Sequence, residues 1–215
     1  MTISWYGEAC FLLEAGGIRV LIEPPQKESG LTPPRLKSDI LIMNGIREPE
    51  AGGWQSEAFT IDGPGEYEVK GVNVLGIANS STDLEQANTL YSIEMDGVKI
   101  VHLGFLGENL SSDKLEILDD PDIVLAPIGG GSTLDSEKAM KLINNLEPSI
   151  VIPMLYDIKG LKIKRESLLP FLKESGAKDS PQPKLTVKKK DLAEEETKIV
   201  ILSPYGGSPA GREKI

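Results

Sequence analysis

Along this chain the spacing of apolar residues changes character near the middle, from alternation to longer helical repeats. Ile3 to Phe11 alternates roughly, and Ile18 to Ile22 (IRVLI) follows a Gly16-Gly17 turn, which predicts strands joined tightly. Asp39 to Met43 (DILIM) is a short unbroken apolar run of the kind buried on both faces. Residues 23–38, rich in Pro, Gly and charge, predict a loop, as do the polar residues 44–57 around Gly52-Gly53. Phe59 to Ile61, Tyr67 to Val69 and Val72 to Ile77 continue the β pattern between Gly63, Pro64, Gly65 and Gly71. Thr89 to Met95 and Val98 to Leu103 predict a hairpin around Asp96-Gly97, a pair that accepts the positive φ angles of a two-residue turn.

Helical spacing then enters between apolar runs. Ile123 to Pro127 and Ile150 to Met154 are buried strands, and residues 134–145 predict a helix with Ala139, Leu142, Ile143 and Leu146 on one face. Thr133 or Asp135 can cap it. Residues 165–175 predict a second helix ending at Gly176, with Pro170 as a kink. Leu185 to Val187 and Lys198 to Leu202 predict two last strands, and 203–215 a flexible tail. Strands with helices late in each half suggest the α/β class: two sheets face to face with helices outside, an αββα sandwich over residues 1–202.

Composition changes this picture little. The 215 residues suit one domain with a core large enough to need no disulfide or metal staple. Cys10 is the only cysteine, so no internal disulfide can form. Glu8 and Glu14 interrupt the stretch where a signal peptide would be apolar, and no run is long enough to span a bilayer. The expectation is a cytoplasmic protein without membrane association. A net charge of −10 disfavours nucleic acid, because the basic residues are mostly scattered. The clearest run, Lys188-Lys189-Lys190, leads into Asp191 and Glu194-Glu195-Glu196 and reads as a solvated strand end and turn.

Catalytic constellations are scarce. Cys10 lies in the apolar run Ala-Cys-Phe-Leu-Leu with no neighbouring base, the setting of a packing residue rather than a nucleophile. A Ser-His-Asp triad would have to use His102, the only histidine, and there is no G-x-S-x-G elbow. Gly129-Gly130-Gly131-Ser132-Thr133 before a helix reads as a tight turn. Its other reading, an anion cradle, lacks the lysine of a P-loop. Glu66, Tyr67, Asn88 and Thr89 are polar residues in β segments to which no role can be assigned.

Six segments carry a further signal. SWYGEACFLLE is similar to a first strand that usually reads W-x-G-H-A/S-C/T-F, and IRVLIEP to a second strand ending in Asp-Pro. SDILIMNGIREPE stands where a strand runs into T-H-x-H-x-D-H, and GPGEYEVKGVNVLGI is similar to the middle strands. ANTLYSIEMDGVKIVHLGFLG is similar to a hairpin ending in H-L-G-D-L-G, and PIGGGSTLDSEKAMKLINNLEPSIVIPMLY to a segment ending in I-P-M-H-Y. In this order they resemble the metallo-β-lactamase superfamily, in particular its small cytoplasmic hydrolase-like branch.

The resemblance implies the sandwich fold, but the aligned ligand positions have changed. Gly45, Arg47, Pro49 and Glu50 stand in the H-x-H-x-D-H segment, and Phe105 stands at the bridging aspartate. Leu155 replaces a histidine, Glu8 the first-strand histidine and Glu23 the aspartate before proline. A catalytic zinc needs about three protein ligands, with imidazole the ordinary one on this fold. The implied protein is a degenerate member with no catalytic residue, no metal and no cofactor. Its old pocket would be filled by a Glu8–Arg47 or Glu23–Arg47 ion pair and plugged by Phe105 and Leu155. His102 aligns with a histidine outside the ligand set and reads as a hydrogen-bonded strand end.

Two functions follow. One is a non-catalytic binding or assembly module for an unknown protein or small-molecule partner, with homo-oligomerisation open. The other is a divergent hydrolase that holds Mg²⁺ or Mn²⁺ at Glu8, Glu23 and Glu50, or uses a metal-free acid–base pair such as Glu8 and Glu50.

Overall fold

Alternating burial explains why the predicted runs become strands. In a computed structural model, which describes residues 1–34, 36–44, 57–79, 88–192 and 196–205, the chain forms β1 (Thr2–Trp5), β2 (Phe11–Ala15), β3 (Ile18–Ile22), β4 (Ile40–Ile42) and β5 (Phe59–Ile61). There follow β6 (Gly65–Val69), β7 (Val72–Asn79), β8 (Asn88–Met95) and β9 (Val98–His102). The remainder is α1 (Ser112–Ile117), β10 (Ile123–Pro127), α2 (Ser136–Leu146), β11 (Ile150–Met154), α3 (Leu169–Ser175), β12 (Leu185–Thr186) and β13 (Lys198–Ile199).

The strands make two mixed sheets, ordered β12-β1-β2-β3-β4-β5 and β13-β11-β10-β9-β8-β7-β6. Val20 and Ile22 of β3 join the main core between the sheets, whereas Leu21 points the other way to a smaller cluster with Cys10, Leu41 and Met43. Trp5, Phe11, Tyr91 and Phe171 are fully buried, and a buried side chain of this size contributes roughly 2 kcal/mol or more. β10 and β11 are parallel and buried along their whole length, as their unbroken apolar sequences require. α2 packs on β10 and α3, which gives the sandwich its helical layer on the second sheet. Among the described residues no helix is long and apolar enough to cross a membrane.

Four local expectations are corrected. The run from Ile3 to Phe11 breaks at Trp5, because residues 6–10 form a turn in which Tyr6 N–H donates to the Cys10 carbonyl at 2.8 Å. The second helix begins at Leu169 instead of residue 165: Pro170 lies in its first turn, where a missing N–H costs nothing, so the proline starts the helix rather than kinking it. The last strand stops at Ile199, with an isolated bridge from Leu202 to Gln182. The expected tail from 203 is docked at its start, since Ser203 N–H donates to Gln182 and Tyr205 N–H to Trp5, with the Tyr205 ring on Tyr6. Residues 206–215 lie outside the described residues.

The Asp96-Gly97 hairpin closes as expected, with Met95 opposite Val98 and φ angles of 55° and 73° at the two turn residues. Nothing lies within 4 Å of a Cβ built on Gly97, so only backbone strain opposes a side chain there. Gly97→Ala is expected to destabilise by about 1 kcal/mol, read as a lower urea midpoint with an unchanged m value. A midpoint equal to the wild type would show that the turn relaxes.

Candidate functional site

The turn between β1 and β2 lifts Glu8 to one end of the sandwich. Its backbone has a φ of 48°, a left-handed conformation uncommon for a residue with a side chain. The Glu8 carbonyl accepts the Trp5 indole N–H at 2.9 Å and the Leu155 N–H at 3.4 Å, which holds the conformation. The Glu8 carboxylate accepts two bonds from Arg165, from Nη2 at 2.8 Å and Nε at 3.3 Å. Each side chain of this ion pair is only 7% exposed.

Glu23, just beyond β3, is also left-handed, with φ 44°. It is buried and accepts a bond from Asn44 Nδ2 at 2.8 Å. Asn44 Oδ1 in turn accepts the Thr89 N–H, carrying the network from one sheet to the other. Asn88, which opens β8, accepts the Phe105 N–H at 2.8 Å and donates to the Leu103 carbonyl at 3.2 Å. Tyr91 adds a bond from its hydroxyl to the Met43 carbonyl at 2.7 Å.

His102 ends β9 in full burial, edge-on to Phe11. Gly104 N–H donates to its Nδ1 at 3.1 Å, so that nitrogen carries no proton, and Nε2 donates to the Ala9 carbonyl at 3.0 Å. Both ring nitrogens are used within the protein. Burial pushes the imidazole down to about 4 and pushes the Cys10 thiol well above its ordinary range, so Cys10 is a packed apolar residue and no ready nucleophile.

Phe105 is partly buried and lines a cavity of about 120 Å³ with Glu8, Glu23, Gln26, Ile163 and Arg165. Leu155 is fully buried in the main core, with φ 61°. Gly45, Arg47, Pro49 and Glu50 lie outside the described residues, and with them the expected Arg47 ion pairs. The glycine run before α2 is a turn: Gly130 N–H donates to the Leu134 carbonyl and Thr133 bonds back to Gly130, while Asp135 caps the helix through Lys138 N–H. A Cβ on Gly129 would overlap the Leu155 carbonyl oxygen, so a side chain is excluded there by close approach.

The β-lactamase superfamily domain matches residues 2–155, well over half of the chain. The chain is a member of the metallo-β-lactamase superfamily. It is 27% identical over 188 residues to a UPF0173 metal-dependent hydrolase of Thermoplasma acidophilum, covering 73% of this chain and 84% of that one. A counterpart from Thermoplasma volcanium is 30% identical over 188 residues, covering 72% and 83%. Among solved structures, a Thermotoga maritima protein of the metallo-β-lactamase superfamily, assigned by name to the Zn-dependent hydrolases, superposes with a TM-score of 0.77 at 27% identity, covering 94% of this chain and 99% of that one. Its metallo-β-lactamase fold is the αββα sandwich expected from the strand pattern.

The side chains at this end of the sandwich, among the described residues of this metallo-β-lactamase-fold chain, do not suit a zinc ion. Among the described residues no group of three or more His, Cys, Asp and Glu side chains could hold a metal. Glu8 has both oxygens on a guanidinium, His102 has both nitrogens engaged, and Phe105 and Leu155 have no donor atom. Arg165 was not visible as a site residue, because it lies beyond the span in which the family match runs. Asn44 belongs to no motif, and the sequence gives Asn88 and Thr89 no role of their own. Only a buried hydrogen-bond network reveals them.

Two outcomes follow. Arg165→Met strands a buried carboxylate, and loss of about 3 kcal/mol is expected in chemical unfolding. Adding Glu8→Gln, which removes the orphaned charge, is expected to recover part of it; a loss below about 0.5 kcal/mol for Arg165→Met would mean that water solvates Glu8. The second outcome concerns pH. In the folded protein His102 takes up a proton only near pH 4, whereas an ordinary imidazole does so near 6.5. Below about 6.5 the unfolded chain therefore binds more protons, and stability falls as pH drops through that window. Between about pH 7 and 5 the loss is expected to be about 2 kcal/mol. The comparison is with His102→Asn, whose unfolding free energy should change less over the same interval.

Proposed function

We propose that this chain is a non-catalytic member of its superfamily, a cytoplasmic binding or assembly module built on a hydrolase fold. The observation that carries the proposal is the buried Glu8–Arg165 pair. It sets a permanent cation against the carboxylate at the position the resemblance aligns with the first-strand histidine. A guanidinium stays protonated at any physiological pH and has no acceptor atom, so it neither activates water nor relays a proton. Glu8, held by it, is poorly placed as a general base. His102, neutral and committed on both nitrogens, is no substitute.

A second reading is favoured by the relatives, which are named metal-dependent hydrolases, and by the convergence of Glu8 and Glu23 on one cavity. Those carboxylates with Glu50 would suit Mg²⁺ or Mn²⁺ better than Zn²⁺, provided Arg165 released Glu8. Metal analysis by mass spectrometry after incubation with Zn²⁺, Mn²⁺ and Mg²⁺ separates the two. Below about a tenth of an equivalent of each metal is expected, with no turnover of phosphodiester, lactone or β-lactam substrates. About one equivalent of any of them, together with turnover abolished by Glu8→Gln, would establish the hydrolase instead.

A further inference from the structure

Two surfaces of this molecule carry opposite charge, and neither is neutralised within the described residues. The first is the loop after β11. Lys159, Lys162 and Lys164 are exposed there around Ile163, which is 40% exposed, and outnumber the exposed carboxylates Asp157 and Glu166 of the same loop. None of the three ammonium groups forms an ion pair among the described residues. The loop is nevertheless tied down. Asp157 N–H donates to the Glu166 carbonyl and Lys162 N–H to the Ser29 carbonyl, each at 2.8 Å, and Arg165 anchors its end on Glu8. A loop already ordered loses little freedom when it binds.

The second surface is the outer face of β6, β7 and β8. Strand register places Glu66 beside Leu75 and Ser92, and Glu68 beside Asn73 and Glu94. These residues line a groove of about 540 Å³. Glu66, Glu68 and Glu94 are exposed and have no cationic partner among the described residues. Lys99, opposite Glu94 in register, also lines the groove and keeps its charge. Its ammonium donates to the Asp119 carbonyl and forms no ion pair with Glu94 among the described residues, so the face remains acidic by three carboxylates to one cation.

Lys99 lies near the start of β9, while His102 and the site lie at its far end. The groove thus lies toward the end of the second sheet away from the basic loop. The geometry points to a second copy of this chain as the occupant of the groove: the lysine loop of one copy docks on the carboxylate face of the next, with Ile163 set against Leu75. A symmetric alternative through β6, the edge strand of its sheet among the described residues, is opposed by charge, because antiparallel pairing about Tyr67 would set Glu66 opposite Glu68 of the other copy. A head-to-tail contact between two different surfaces repeats, and it closes into a ring or grows as a filament. At about 0.1 M salt screening over roughly 10 Å mutes repulsion between two net-negative molecules and leaves the local pairs at contact. The contact itself uses none of Glu8, Glu23 and Arg165, so its test is separate from that of the non-catalytic reading.

Sedimentation velocity tests it directly. Wild-type protein is expected to form species larger than the monomer at about 0.1 M salt and to dissociate at about 0.5 M. Lys159→Glu with Lys162→Glu and Lys164→Glu, or Glu66→Lys with Glu68→Lys and Glu94→Lys, is expected to weaken association at least about tenfold. The equimolar mixture of the two triple variants restores it, since each carries the complement of the other, and that recovery also shows that both fold. Monomeric wild type at all concentrations overturns the proposal. So do assembly indifferent to both reversals, and variants that fail to complement each other while their thermal unfolding matches the wild type. A wild-type monomer that instead binds an oligolysine peptide through Glu66, Glu68 and Glu94 overturns it as well, and would assign the groove to a foreign basic partner.

Discussion

Two sheets packed face to face hide their apolar side chains easily, but at the strand ends the backbone turns and brings polar groups into the same low-dielectric space. Every such group must find a partner there, because an unpaired buried donor or acceptor costs about 1–3 kcal/mol and a buried charge more. In this chain one end of the sandwich meets that demand with bonds running between the sheets. His102 reaches Ala9, Tyr91 reaches Met43, and Asn44 joins Glu23 to Thr89. The Glu8–Arg165 pair ties the first sheet to the loop after β11. The arrangement of the site follows from this closure, since none of these side chains can move without stranding another.

Backbone and side chains tell different stories at this end. Glu8, Glu23 and Leu155 are the positions that the resemblance aligns with a histidine, an aspartate and a histidine, and all three have left-handed φ angles. A residue with a side chain in that region costs of order 1–3 kcal/mol and persists only where its surroundings fix it. Trp5 and Leu155 hold the Glu8 carbonyl, the Ile42 carbonyl accepts from Glu23 N–H, and full burial holds Leu155. The three aligned positions therefore share one left-handed backbone form, set by their surroundings and independent of which side chains they carry. Fold likeness reports the frame, and chemistry depends on the side chains.

The same division explains what could be read from the sequence. Strands such as IRVLI, IVLAP and IVIPM were legible because burial on one or both faces writes itself directly into residue type. The Asp96-Gly97 hairpin was legible because few residue pairs tolerate its φ angles. The start of α3 was misplaced because Pro170 can either open or break a helix, and only the packing of residues 165–168 decides which. In the site, Glu8, Glu23 and Phe105 were found by alignment to a ligand pattern, and the structure brings them to one cavity. Arg165 and Asn44 were not legible, since an arginine in a lysine-rich loop and an asparagine after a strand look solvated until their distant partners are known.

Arginine rather than lysine at position 165 fits the role. A carboxylate buried at the end of a strand needs a charge that stays in place and several donors fixed in direction, which a planar guanidinium provides through Nε and Nη2 together. A metal ion would satisfy the same carboxylate and also draw in further ligands and a water molecule; the guanidinium satisfies it and stops there. Its stem also packs close to Gly129, whose carbonyl accepts the Glu166 N–H, so the loop is closed from both sides. The closed loop then presents its remaining lysines outward. The guanidinium that satisfies Glu8 in the interior thereby also fixes the shape of the surface above it, so one pair of hydrogen bonds shapes both sides of this loop.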